Sequence, residues 1–230
     1  MTVTTKLILK DMPTTGLTGI GGEGGGWSGD GDIDFLVEAT GTSAPSEELI
    51  IGATYNQFVM TKGIENTYVF TPVNVDDNMI TTKDVERVIF NDKAIALDVN
   101  GPAGELYALI AAGLGQSDVT PELMGIGLAL QDKGKSDTEL AQILLSSDLY
   151  KADALGSSNE TFVKHVYKNI TGQTISLADL TMYTGWLDSK AWTQAQLLEA
   201  ASNLTSFRDT SHINLVGLAD TGIDYIPFVL

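Results

Sequence analysis

The chain contains no cysteine in its 230 residues. That excludes disulfides, thiol catalysis and thiolate metal sites. It is also short of cations, with 13 Lys and Arg against 30 Asp and Glu and a net charge of −17. A nucleic-acid partner needs a basic footprint and an anionic membrane surface repels so acidic a chain, so neither is an expected partner. The shortage is uniform: residues 1–100 hold 6 cations against 15 acids, and residues 101–230 hold 7 against 15. Even acidity of this kind suits solubility, or surroundings in which Ca²⁺ bridges carboxylates. No apolar run is long enough to span a bilayer, so membrane insertion is not expected. The stretch Met1–Lys10 lacks the apolar core of a signal peptide. Any export is therefore expected to use a C-terminal signal or host lysis.

Hydrophobic residues make up 43% of the chain, enough for packed cores. Residues 16–31 hold nine glycines, a density that resists helix and ordinary strand and reads either as a linker or as a packed turn system. Around them run short β-forming stretches: Thr2–Lys10, Asp32–Ala39, Leu49–Gly52, Tyr55–Thr61, Thr67–Pro72, Val85–Phe90 and Ala94–Val99. Lys62-Gly63 is the expected turn between two of them, and Asn100-Gly101-Pro102 the expected domain boundary.

Past that boundary the period changes to that of helices. A shift of 57 residues (115 to 172) lays the chain on itself without a gap. Gly115-Gln116 meets Gly172-Gln173, Leu123 meets Leu180, Leu130 meets Leu187, Leu140 meets Leu197, and Ser136 meets Thr193, both plausible N-caps. Phe162, Val163, Val166, Tyr167 and Ile170 form an apolar stripe at helical spacing. A last helix is expected over Thr210–Ala219, then an extended tail over Ile223–Leu230. The expected fold class is α+β: a β-rich domain over 1–100 with its glycine-rich segment, then a helical bundle of two related three-helix units over 101–230. The units span 105–148 and 162–205, and the tail 220–230.

Candidate chemistry is sparse. Asp30, Asp32 and Asp34 alternate after the glycines and are the candidate metal ligands, because a hard cation such as Ca²⁺ takes several oxygens. Phe35 stands where an EF-hand needs glycine, and the competing reading is a solvated turn. Asp76-Asp77-Asn78 is a second acidic turn, more simply a loop. His165 and His212 are isolated and read as packing or surface residues rather than zinc ligands. Ser28 lacks the strand a nucleophile elbow requires, and the glycine run lacks the Gly-Lys-Ser/Thr ending of a phosphate loop. Trp186 and Trp192 flank one turn of the second unit and suit either a core or a contact surface. Asn159, Asn169 and Asn203 begin Asn-x-Ser/Thr triplets, which matter only in a eukaryotic secretory route. No catalytic residue and no organic cofactor is expected.

The segment from Tyr183-Thr184-Gly185-Trp186-Leu187 through Trp192-Thr193-Gln194-Ala195-Gln196-Leu197-Leu198 resembles a bacterial helical repeat family of unknown function. That family is found near the C-termini of secreted RTX-type and surface-layer proteins. His212–Leu218 with Gly222–Pro227 is similar to its closing segment, and Asp84–Asp92 with Ala96-Leu97-Asp98 to the β segment that precedes it. The first unit departs from the pattern at Leu128-Ala129, where aromatics are usual. The resemblance covers about residues 55–230 and implies a non-enzymatic structural protein. Such a protein would assemble with itself into an extracellular or cell-surface array with calcium as a candidate aid, exported without a signal peptide. Two alternatives stay open: a virion decoration or tail protein of a tailed phage, and a hydrolase with a helical accessory domain.

Overall fold

Short β-branched stretches and long capped apolar runs occupy different parts of the chain, and the fold follows them. It is mixed α and β, with strands mainly N-terminal and helices C-terminal. The computed structural model describes residues 6–9, 35–38, 48–74, 78–154, 156–204 and 213–229. The glycine-rich segment, Asp30, Asp32, Asp34, Ser28, Trp27, Asp76-Asp77 and His212 lie outside the described residues. The chain divides into two compact units, Met1–Ala94 and Ile95–Leu230.

In the first unit, β1 (Lys6–Leu9) lies parallel to β3 (Glu48–Ile51), with Lys6 opposite Glu48, and β3 lies parallel to β7 (Arg87–Ile89). A second sheet is ordered β2 (Phe35–Glu38), β6 (Ile80–Lys83), β5 (Thr67–Pro72), β4 (Phe58–Lys62). Its β2–β6 pair is parallel and the other two are antiparallel. The core gathers on Phe90, whose ring meets those of Tyr55, Phe58 and Phe70 at 5.3, 5.8 and 5.6 Å, geometries aromatic quadrupoles favour. Residues 55–57 form a 3-10 turn rather than the expected start of a strand. The cause is local: Thr54 and Gln57 close a capping box, and the Tyr55 N–H donates to Asp92. The hairpin also turns later than Lys62-Gly63. The Thr67 N–H donates to the Ile64 C=O at 3.0 Å, and the central Glu65 and Asn66 have φ of 52° and 55°, the primed geometry that matches strand twist.

The second unit begins before the expected boundary because Leu97 and Val99 are buried and Asp98 accepts from the Ala103 N–H at 2.9 Å, anchoring the first helix. That helix, α1 (Pro102–Leu114), is buried along almost its whole circumference. It packs on α3 (Asp137–Ser146), α5 (Asn159–Thr171) and α7 (Gln194–Ser202), and on α2 (Pro121–Asp132). A short α4 (Asp148–Asp153), not expected from the sequence, starts where the Ser147 hydroxyl accepts from the Tyr150 N–H. The remaining helices are α6 (Leu177–Asp188) and α8 (Leu215–Thr221). Ser136, Ser176 and Thr193 are N-caps, and Ser136 and Thr193 each close a capping box, with Glu139 and Gln196. Lys135 and the Ser136 N–H hold the Glu139 carboxyl down at about 2. Part of the expected extended tail is a strand, β9 (Ile223–Tyr225), the neighbour of β8 (Ala94–Ala96). The tail then crosses α2, where the Ile226 N–H donates to the Pro121 C=O at 2.9 Å.

Candidate docking groove

The apolar stripe of α5 packs against α6 and α7 as well as α1. Ser158 caps the start of α5, and Gly172 ends it in the left-handed conformation, turning the chain back toward α6. Lys190 takes a φ of 59° in the α6–α7 turn, which returns Trp192 over α6. The Trp192 N–H donates to the Trp186 C=O at 3.2 Å, and the two indoles stack at 6.2 Å and 25°. Tyr183, one turn earlier, meets Trp186 edge-on at 5.3 Å. Asn159 ties the three helices at one end: its Nδ2 donates to Asp188 and its Oδ1 accepts from Gln194.

Between these helices runs a groove of about 270 Å³. Phe162, Val163, Val166 and Ile170 form its buried floor. Trp186, Trp192 and Leu204 stand at its mouth, 38%, 38% and 48% exposed. Among the described residues no Asp, Glu, Lys, Arg or His lines it. The tryptophans are thus neither core nor isolated surface residues; they are a half-exposed aromatic lip. On the far side of Trp192 lies a polar depression with Thr138, Gln196, Glu199 and Asn203, in which the Thr138 hydroxyl donates to Glu199. An apolar groove with an aromatic rim desolvates a complementary apolar segment, which is the chemistry of a protein contact.

His165 serves a different purpose. Its Nε2 lies 2.7 Å from the Gly113 C=O and 3.2 Å from Asp153 Oδ2. A backbone carbonyl can only accept, so Nε2 is the donor to Gly113; Asn169 Nδ2 lies 3.1 Å from the same nitrogen. Asn169 Nδ2 donates to the Ala112 C=O at 3.2 Å. Together the two side chains satisfy carbonyls at the C-terminus of α1, which have no partner within the helix. Tyr150 stacks edge-on against His165 at 5.7 Å, and its buried hydroxyl has no hydrogen-bond partner among the described residues. Burial, with Asp153 beside it, pushes that phenol up to about 12.

Among the described residues no three His, Asp or Glu side chains gather in a metal-holding group, and no helix is long and apolar enough to cross a membrane. The candidate ligands Asp30, Asp32 and Asp34 and the second histidine, His212, lie outside the described residues. The groove itself was only half visible beforehand. The stripe from Phe162 to Ile170, Leu197, Trp186 and Trp192 stood out in the sequence, but Ala200 and Leu204 did not. A signal existed in α6: Leu177, Leu180, Met182 and Trp186 are spread around the helix, yet only Leu187 is buried. A helix with apolar residues on several faces that buries only one of them leaves surface for a further contact. No protein-family model, no curated protein and no solved structure matches the chain.

Proposed function

We propose that this chain is a non-enzymatic structural protein that assembles with copies of itself into an ordered extracellular or cell-surface array. The observation that carries the reading is the uncharged, aromatic-lipped groove of α5, α6 and α7 on a chain of net charge −17. So acidic a surface repels its own copies, and association concentrates where charge is absent. The rigid body that carries the groove is, in this reading, an internal duplication. The 57-residue shift takes 102–114 to 159–171, the bounds of α1 to those of α5. It takes 121–132 to 178–189 and 137–146 to 194–203, each within one residue of α6 and α7 at either end. The paired capping boxes and the glycines after α1 and α5 support the same arrangement.

The test is sedimentation velocity of the full chain over a wide concentration range, with and without Ca²⁺. Growth into large particles is expected, weakened at least tenfold by Trp186→Ala. Calcium dependence would bring Asp30, Asp32 and Asp34 into the assembly. A monomer at every concentration in both conditions would overturn the reading.

A further inference from the structure

We infer that the groove receives the Pro227-Phe228-Val229 segment of a second copy of this chain, in a head-to-tail contact. The inference rests on the self-assembly reading and names the surface that fits the groove. The donor segment is already presented. The Ile226 N–H is fixed to the Pro121 C=O at 2.9 Å, and the Ile226 C=O lies so close over Gly125 that an added Cβ would come within 1.7 Å of it. That pin holds the backbone and leaves the apolar side chains outside: Ile226 is 50%, Phe228 48% and Val229 93% exposed. Pro227 fixes its own φ, so the segment leaves α2 pre-extended and loses little freedom on docking.

Acceptor and donor agree in charge and size. Neither the groove lining nor residues 225–229 contains an Asp, Glu, Lys or Arg. An apolar cavity of about 150 Å³ takes a benzene ring, so 270 Å³ admits the Phe228 ring and part of a neighbour. The edge and face of Tyr183, Trp186 and Trp192 offer that ring the offset contacts aromatics prefer. Among the described residues the contact is not made within one copy: none after Leu204 lines the groove, and α2, where the tail is seated, packs mainly on α1, α3 and β9. The two surfaces differ, so each copy carries one socket and one plug. Contacts of this heterologous kind propagate as rings or open chains.

The experiment uses two full-length variants, Phe228→Asp and Trp186→Ala, with melting curves to verify that both fold. Alone, each is expected to assemble at least tenfold more weakly than the natural chain. Mixed in equal amounts they should form dimers and nothing larger, because one supplies the only intact socket and the other the only intact plug. A synthetic peptide of residues 223–229 should shift the tryptophan emission of Phe228→Asp and not that of Trp186→Ala. If Phe228→Asp assembles like the natural chain while Trp186→Ala does not, the plug is another surface; self-assembly stands and this inference falls. A peptide that leaves the emission of Phe228→Asp unchanged overturns it as well. A natural chain that stays monomeric overturns both readings.

Discussion

Gly125→Ala is expected to destabilise the helical unit, although alanine is the better helix former. Both Gly125 and Gly185 lie inside helices, in α2 and α6. Glycine there costs about 0.5–1 kcal/mol relative to alanine. At Gly185 no described atom lies within 4 Å of an added Cβ. Gly185→Ala should therefore gain that amount. At Gly125 the added Cβ would stand 1.7 Å from the Ile226 oxygen and 2.8 Å from its carbon. The obstacle is backbone, so no rotamer change relieves it; the tail must lift by more than an ångström. Forcing it costs about 1–3 kcal/mol, and losing the Ile226–Pro121 hydrogen bond adds about 1 kcal/mol. The net loss is about 1–3 kcal/mol, which separates the two variants by roughly 2–4 kcal/mol. Urea unfolding followed by helical circular dichroism measures this as opposite shifts in midpoint at an unchanged slope. If Gly125→Ala gains as much as Gly185→Ala, the tail is not held against α2 and the reasoning fails. The same variant should weaken assembly if the pin presents Phe228.

His165→Ala removes the donor to the Gly113 C=O at a helix end and should cost about 1–3 kcal/mol in the same unfolding assay; an unchanged midpoint would mean that water caps the helix instead. Tyr150→Phe removes a buried hydroxyl that has no partner among the described residues and should be neutral to stabilising by about 1 kcal/mol at neutral pH. The sign of its alkaline effect follows from the phenol's rise to about 12 in the folded chain. A folded value above the unfolded one gives stability that is complete below the unfolded value of about 10 and fades as pH rises through 12, about 2–3 kcal/mol in all. The natural chain should therefore lose more stability than Tyr150→Phe across that window, and parallel pH curves would refute the assignment. In the first unit, Glu65→Asn with Asn66→Gly supplies the residues that tolerate positive φ in the hairpin turn and should raise its midpoint by the equivalent of about 1 kcal/mol.

Much of the helical unit was legible because its signals are local. Ser136, Ser176 and Thr193 announce helix starts through one hydroxyl and one backbone N–H each, whatever surrounds them. The stripe from Phe162 to Ile170 fixes both the existence and the inward face of α5. What escaped was decided at a distance or by polar residues. The strand β6 reads Ile-Thr-Thr-Lys and has no apolar run to mark it; its Thr82 is buried only because its hydroxyl donates to the Tyr68 C=O. The last described helix runs from Leu215 to Thr221, two residues past the expected end at Ala219, and the Asn214 side chain accepts from the Gly217 N–H at its start; the expected start at Thr210 lies outside the described residues. Tyr55 looked like a strand residue until Asp92, far along the chain, took its N–H.

The groove follows from an imbalance between two helices that the 57-residue shift puts in register. α1 buries eleven of its thirteen residues and α5 only four of thirteen. The central helix is shared: α1 packs on α2, α3, α5 and α7, whereas α5 has α1, α6 and α7. If the two units are copies, α1 draws α7 toward itself, and α5 cannot have it as fully. At the positions that the shift pairs with Tyr183, Trp186 and Trp192 stand Ile126, Ala129 and Lys135. One aliphatic, one small and one charged group, with no aromatic, suit a half whose apolar surface is covered from within, by α7 and by the tail on α2. Large aromatics suit a unit left one neighbour short, since they cover its exposed floor in the isolated chain and offer broad contact area to whatever completes it. On this argument, Trp186 and Trp192 substitute for a missing helix face, and shrinking both to alanine should cost the isolated chain some stability and cost the assembly far more.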